Sequence, residues 1–187
     1  MSRTVTPSQT IGPFFAVLGT VGTNELVGPD QASAITITGR VFDGDGAPVT
    51  DAMIELWQAN EHGKYDHPED TRELPLTPGF TGFGQCFTDR DGRFTFRTLK
   101  PGPVPFRDDR TQAPHINVSV FARGLLNRLV TRIYFSDETE ANAVDPLLLG
   151  IDDPEVRATL VARNSGLRTY EFEVHLQGEK ETAFLAI

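Results

Sequence analysis

The feature that most constrains the fold is a series of short segments in which apolar and polar residues alternate. Residues 34–42 alternate isoleucine and valine with threonine and arginine, and residues 115–121 place Ile116, Val118 and Val120 on one face. A period of two is typical of β-strands that bury one face. The same pattern predicts further strands over 52–59, 93–99, 128–135 and 168–177.

Turn and loop signals separate these predicted strands. Asp43-Gly-Asp-Gly and Asp89-Arg-Asp-Gly are predicted to be tight hairpin turns, because aspartate and glycine tolerate positive φ. Both resemble the start of a calcium loop, but an EF-hand also needs a terminal glutamate and flanking helices, which neither segment has. Residues 60–84 combine several prolines and glycines without periodicity, which predicts a long irregular connection.

One segment near the end of the chain is predicted to be helical. Residues 153–163 begin with acidic residues, have proline at an early position and carry arginine late. Strands and helices do not alternate along the sequence, so there is no sign of the βαβ units that form a parallel sheet. The sequence therefore predicts an all-β fold, an antiparallel β-sandwich with one short late helix and long irregular loops, in a single domain over residues 1–187.

Composition narrows the possible partners and the compartment. The chain has 17 basic and 26 acidic residues and a net charge of -9, which disfavours nucleic acid as a partner. A single cysteine excludes an internal disulfide, and no apolar run reaches the roughly 20 residues of a membrane span. Because the first residues also lack the features of a secretory signal, we expect cytoplasmic residence.

Few side chains can bind a metal or act as a nucleophile. His62 and His67 flank Tyr65 in a predicted loop, where they either contribute to a metal site or are simply solvated. Cys86 is either a small buried apolar residue or a nucleophile that pairs with His115. The sequence pattern leaves these alternatives open.

Three arginines follow or belong to predicted strands in this acidic chain. Arg123 follows the strand over 115–121, and Arg128 and Arg132 belong to the next strand. Each guanidinium could bind an anionic ligand or pair with a surface carboxylate.

Taken together, segments spread over nearly the whole chain resemble the intradiol ring-cleaving dioxygenases. They occur in the same order as in that family, and the most specific is Leu56-Trp-Gln-Ala. The matching segments are 6–14, 39–46, 54–60, 63–65, 88–98, 100–103, 114–117 and 131–135.

The resemblance can be followed through the metal ligands of the family. Members hold a non-haem ferric ion with two tyrosinates and two histidines, a donor set suited to a hard cation. Tyr65 and His115 match one ligand of each type, whereas Val104 and Asn117 occupy the other two positions. Valine donates nothing and a neutral carboxamide replaces imidazole poorly. The resemblance therefore implies vestigial ligand positions, with no metal site and no catalytic residue in this chain.

Some members of the family consist of two homologous subunits, of which only the beta chain keeps the iron. The resemblance implies that this chain is the alpha type, paired with a beta subunit that binds Fe³⁺ and repeated in a larger hetero-oligomer. The implied reaction is cleavage of 3,4-dihydroxybenzoate by O2 to 3-carboxy-cis,cis-muconate, within the beta-ketoadipate pathway of aromatic catabolism.

The resemblance also implies residues of this chain that lie near the substrate. These are Arg123 together with Gly12 and Pro13, which belong to an N-terminal arm, residues 1–33, expected to contact the partner chain. A guanidinium suits this role, because a benzoate carboxylate needs a cation or hydrogen-bond donors.

Two alternatives compete with this interpretation. The first is a self-sufficient intradiol dioxygenase that holds metal through Tyr65, His115 and either His62 or His67. The second is a non-enzymatic β-sandwich binding module in which Arg123 binds an anion or has no function.

Overall fold

A computed structural model of the chain describes residues 23–186, and most of its regular structure is strand. The strands are β1 (Ile35–Phe42), β2 (Met53–Trp57), β3 (Phe83–Phe87), β4 (Arg93–Thr98), β5 (Val104–Pro105), β6 (Thr111–Gln112), β7 (His115–Phe121), β8 (Leu129–Phe135), β9 (Val161–Gly166) and β10 (Thr169–His175). The helical segments are α1 (Thr139–Val144), a 3₁₀ turn (Leu148–Gly150) and α2 (Pro154–Ala158). The predicted strand-rich class is confirmed.

Eight of the strands form one sheet in the order β3-β2-β7-β8-β9-β10-β1-β4, and β5 pairs with β6 separately. The chain passes directly from β3 to β4, at the two ends of this order, so the sheet curves into a nearly closed, barrel-like form. The prediction of a purely antiparallel sheet is wrong, because β1 pairs with β10, and β8 with β9, in parallel. The predicted hairpin at Asp89 is also not formed, since β3 pairs only with β2 and β4 only with β1.

In the described residues the main apolar core lies between the two halves of the sheet, and a second, smaller cluster is formed by Ala113, Tyr134, Leu148 and Leu160. The alternating residues predicted to face inward are buried in this core. Successive side chains of a strand point to opposite faces of the sheet, so the apolar residues on one face can be buried together. Their buried members include Ile37, Val41, Ile54, Leu56, Phe94, Phe96, Ile116, Val118, Val120, Phe172 and Val174, and Ile133 of β8 is buried in the same core. β2 pairs on both edges, as expected for a central strand.

The predicted late helix is shorter in the structure. Asp153 caps it by accepting the backbone N–H of Glu155 at 2.8 Å, but the helix ends at Ala158 and β9 starts at Val161. The later residues pair with β8 and β10 instead, so sheet pairing replaces the last helical turn. Helix α1 and the 3₁₀ turn were not predicted.

The two Asp-x-Asp-Gly segments form tight turns. Oδ1 of Asp43 accepts the backbone N–H groups of Asp45 and Ala47, and Oδ1 of Asp89 does the same for the residues two and four positions later. These bonds use the carboxylate to close a turn, as the sequence predicts.

The described end of the predicted N-terminal arm, residues 23–33, packs on this chain. Leu26 donates its backbone N–H to the carbonyl oxygen of Arg97 at 2.8 Å, and the side chains of Leu26 and Val27 are buried in the core. In residues 23–186, no helix has the length and apolar character needed to cross a bilayer.

Candidate functional site

The candidate site lies on the outer face of β2, β7 and β8, opposite the core. Side chains alternate along each strand, so the residues next to the buried positions point outward. Trp57 pairs with Asn117, and Asn117 pairs with Arg132, which places three side chains in a row across the sheet. His115 and Tyr134 form the neighbouring cross-strand pair.

The long loop after β2 covers this row and carries Tyr65. Its Gly63 has a φ of +74°, and a side-chain carbon at this position would collide with the carbonyl oxygen of Pro103. Glycine therefore allows the loop to pack against the backbone of residues 102–103. The Tyr65 ring stacks on Trp57, with ring centroids 5.7 Å apart and planes 17° from parallel.

An ion-pair cluster holds the loop around Tyr65. Arg72 donates from Nε to Oδ1 of Asp70 at 2.8 Å and from Nη2 to Oδ2 at 2.6 Å, and Oδ2 also accepts the Tyr65 backbone N–H at 2.9 Å. Nζ of Lys64 lies 3.5 Å from the same carboxylate. The bond from Arg72 holds the pKa of Asp70 well below its usual range. Asp70 is therefore fully engaged in fixing the loop.

These elements line a cavity of about 620 Å³ that is open to solvent. This volume is within the range of about 300–1,000 Å³ that is usual for small-molecule sites. The cavity is lined by Trp57, Tyr65, His67, Glu69, Asp70, Thr71, Arg72, Val104, Pro105, Gln112, His115 and Arg132. A larger groove, about 910 Å³, lies beside β10 and α2, and none of the predicted site residues lines it.

His115 lies at the cavity with only 3% of its surface exposed. Its Nδ1 is 2.7 Å from the carbonyl oxygen of Ala113, so the hydrogen bond assigns the proton to Nδ1. Burial, together with the positive charge of Arg132, lowers the pKa of His115 to about 4. The imidazole is consequently neutral near pH 7.

Arg132 occupies the centre of the site and is held by neutral groups. Its Nε donates to Oδ1 of Asn117 at 3.0 Å, and its Nη1 donates to Oε1 of Gln112 at 2.7 Å and to the Tyr134 hydroxyl at 3.3 Å. That hydroxyl in turn donates to Oδ1 of the buried Asp145 at 3.0 Å. These hydrogen bonds fix the Arg132 guanidinium between Asn117, Gln112 and Tyr134.

The chain with this arrangement of strands, loop and cavity matches a known protein family. A sequence profile described as that of a dioxygenase matches residues 12–178. The chain belongs to this dioxygenase family.

Individual relatives agree with the family assignment. This dioxygenase-family chain is 40% identical over 195 residues to the protocatechuate 3,4-dioxygenase alpha chain of Pseudomonas putida, with 96% of this chain and 94% of that one covered. It is 37% identical over 164 residues to the beta chain of the Burkholderia cepacia enzyme, covering 83% of this chain and 69% of that one. The predicted resemblance to intradiol dioxygenases is confirmed.

A solved structure gives the same result for the fold. The dioxygenase domain of a dioxygenase carbohydrate-binding protein fusion from Streptomyces sp. SirexAA-E is 30% identical to this chain. The two superpose with a TM-score of 0.62, covering 96% of this chain and all of that domain.

The residues of this dioxygenase-family chain do not fit the ferric ion of the family. Val104 offers no donor atom, and Asn117 is occupied because its Nδ2 donates to the Trp57 carbonyl at 3.3 Å while its Oδ1 accepts from Arg132. A guanidinium fixed here would repel a cation. Burial raises the pKa of Tyr65 and so favours the neutral phenol.

The structure brings together the four residues that the resemblance matches to the metal ligands of the family. Tyr65, Val104 and His115 line the same cavity, and Asn117 lies beneath it in contact with Arg132. This grouping was implied by the resemblance. The self-sufficient alternative is disfavoured, because it needs a metal at a point where Arg132 places a positive charge.

The other predicted candidates lie elsewhere or only at the rim. His67 lines the cavity, whereas the side chain of His62 is 48% exposed and lies 4.0 Å from Glu61. Cys86 is half-buried on β3, and burial raises the pKa of its thiol, so the apolar interpretation is favoured. It lies level with Ile54 and Val120, away from the His115 end of β7.

Arg123 lies beyond the far end of β7 from His115. Its side chain is 73% exposed, and its Nε is 2.9 Å from Oδ2 of Asp51. It therefore does not contact the cavity of its own chain. Gly12 and Pro13 lie outside the described residues.

Sequence reasoning missed the central position of Arg132 and the contribution of Gln112 and Asp145. The signal for Arg132 is its place between Thr131 and Ile133, which directs it to the outer face. Its partners depend on the register between β7 and β8, which no local pattern specifies.

Proposed function

We propose that this chain is the alpha subunit of a protocatechuate 3,4-dioxygenase and holds no iron itself. The observation that supports the proposal is the Arg132 guanidinium, which hydrogen bonds hold beside the residues that match the metal ligands of the family, in a chain that matches alpha chains over nearly its full length. The beta subunit, a homologue of this chain, would hold the non-haem ferric ion. Its iron would supply the chemistry that opens 3,4-dihydroxybenzoate with O2 to 3-carboxy-cis,cis-muconate.

In this proposal the alpha chain binds and orients the substrate and excludes water. Arg123 binds the benzoate carboxylate, because a guanidinium offers paired N–H donors and a charge. Its position supports a role toward a neighbouring subunit, since it is exposed and remote from the cavity of its own chain. The exposed pair with Asp51 costs little to rearrange, because surface ion pairs contribute about 0–1 kcal/mol.

The assembly follows from the same proposal. The N-terminal arm, residues 1–33, would contact the beta subunit and place Gly12 and Pro13 beside the substrate. The alpha-beta pair would be pseudo-symmetric and repeated in a closed hetero-oligomer in the cytoplasm. The two halves of the sheet, which pack on the main apolar core, would correspond to the layers of a β-sandwich.

Co-expression tests the proposal. The chain is produced together with a homologue that carries the complete set of two tyrosines and two histidines, and the two are purified through a tag on this chain alone. We expect co-purification and cleavage of 3,4-dihydroxybenzoate by the pair. Ring cleavage by this chain alone would favour the self-sufficient alternative, and failure of the two chains to associate would favour the binding module.

The role of Arg123 has its own test in the assembled enzyme. We expect Arg123→Ala to lower kcat/KM for 3,4-dihydroxybenzoate by about tenfold or more, because a charge-assisted hydrogen bond contributes about 1.5–3 kcal/mol, and to affect catechol much less. Arg128→Ala, which removes another exposed arginine, is the matched control and should leave both substrates unaffected. Equal losses for the two substrates would contradict a contact with the carboxylate.

A further inference from the structure

Arg132 is a charged residue at a cavity that the proposed function leaves unused. Its Nε and Nη1 donate to Asn117, Gln112 and Tyr134, all of which are neutral acceptors. Residues 23–186 supply no acceptor to its Nη2 and no carboxylate within 4.0 Å of its guanidinium. Two N–H groups of a five-donor guanidinium therefore have no partner in the described part of the chain.

A half-buried cation without a carboxylate is costly unless something neutralises it. Removing a charge from water loses solvation energy, which proteins normally recover by pairing the charge. Arg72, which also lines the cavity, is paired in this way with Asp70. Asp145 reaches Arg132 only through the Tyr134 hydroxyl and is itself engaged by the backbone N–H groups of Ala113, Leu147 and Leu148.

The remaining walls of the cavity specify what kind of anion fits. Trp57 and Tyr65 present stacked rings, and Val104 adds a buried apolar side chain. Asp70 does not compete for Arg132, because Arg72 and Lys64 engage its carboxylate. Among the described residues that line it, the cavity thus combines an apolar, aromatic wall with one arginine, Arg132, that no carboxylate pairs.

We propose that this cavity binds a small aromatic carboxylate, with its carboxylate accepting from Nη2 of Arg132 and its ring against Trp57 and Tyr65. A carboxylate bound in this way makes charge-assisted hydrogen bonds to a guanidinium, which are stronger than neutral ones. No ring hydroxyl is required, since no metal is needed to bind the ligand. All of the contacting groups belong to this chain, so binding requires no beta subunit.

The only tryptophan of the chain, Trp57, lines the cavity and reports on binding. The full chain is titrated with benzoate while tryptophan fluorescence is recorded, with benzamide and acetate as probes that lack the charge and the ring. We expect a saturable change with benzoate, and binding weaker by about tenfold or more for both other probes. Equal responses to benzoate and benzamide, or no saturable response to benzoate, would overturn the proposal without bearing on association with the beta chain.

Variants of Arg132 make the test specific. Arg132→Gln removes the charge and keeps hydrogen-bonding groups, so we expect benzoate affinity to fall by about tenfold or more. Arg132→Lys keeps the charge but not the planar fork, and its affinity should be intermediate. Arg128→Gln, which removes an exposed arginine just before the same strand, is the control and should bind benzoate as the unmodified chain does. Unchanged affinity in a folded Arg132→Gln variant, checked by circular dichroism, would refute the role of Arg132.

Discussion

Replacing His115 with glutamine should change how the stability of the protein depends on pH. His115 is buried as the neutral imidazole, with Nδ1 donating to the Ala113 carbonyl oxygen. Arg132, Tyr134 and Asp145 are the charged or titratable groups around it, and burial is the main reason why its pKa falls to about 4. Glutamine can donate the same hydrogen bond but cannot take up a proton near neutral pH.

The size of the effect follows from the difference between the His115 pKa in the folded protein and that in the unfolded protein. An unfolded histidine has a pKa of about 6.5, and each pH unit of difference corresponds to about 1.4 kcal/mol. Because the folded pKa is the lower one, the stabilisation is complete above about pH 6.5 and is lost as the pH falls toward 4. The full difference is about 3 kcal/mol, of which about 1.4 kcal/mol is lost between about pH 7.5 and 5.5.

Urea unfolding followed by circular dichroism at these two pH values measures the effect. Both lie above the sequence pI of about 4.9, where the chain keeps a net negative charge. We expect the free energy of unfolding of the unmodified protein to fall by about 1.4 kcal/mol more than that of His115→Gln. Any loss of stability that comes from the different shape of glutamine is the same at both pH values, so it cancels when the two pH-dependent changes are compared. His62→Gln, which removes an exposed histidine, is the control, and parallel profiles for His115→Gln and the unmodified protein would refute the reasoning.

Two further substitutions test the buried polar network and the core. Asp145→Asn should lower the free energy of unfolding by about 2–5 kcal/mol, because the amide group would face the Ala113 N–H that the carboxylate now accepts at 2.8 Å; a thermal unfolding midpoint unchanged from the parent would contradict this. Phe96→Ala should cost about 3–5 kcal/mol in urea unfolding, because Phe96 is fully buried between the two halves of the sheet, whereas Leu126→Ala, at an exposed position, should change it by less than about 0.5 kcal/mol. A similar loss for both would show that Phe96 is not packed in the core as described.

The sequence predicts much of the fold, because one side of each strand must be buried. The alternation over residues 115–121 and 168–177 corresponds to β7 and β10 within two residues at each end. Strand β9 escapes this reasoning, since residues 163–166 are polar and exposed and its position depends on pairing with distant strands. The parallel pairs were missed for the same reason: which strands become neighbours is a property of the whole chain.

The site shows a similar division between local and long-range information. The resemblance implied that Tyr65, Val104, His115 and Asn117 occupy one place, and the structure gathers them there. The resemblance did not reveal that Arg132 lies at the centre of the site. The position of Arg132 depends on the register between β7 and β8, which sets it opposite Asn117. Arg132, which the sequence marks only as one of three arginines, is thus the residue whose charge disfavours a metal at this site.

The proposal that this chain holds no iron is tested most directly by its metal content. The chain is purified alone from iron-supplemented cells, and its iron content and visible absorption are compared with those of the pair formed with the beta chain. We expect the pair to contain iron in an equimolar amount and to absorb visible light through iron-bound tyrosinates, while the chain alone has neither property. Stoichiometric ferric iron with tyrosinate absorption in the chain alone would contradict the account.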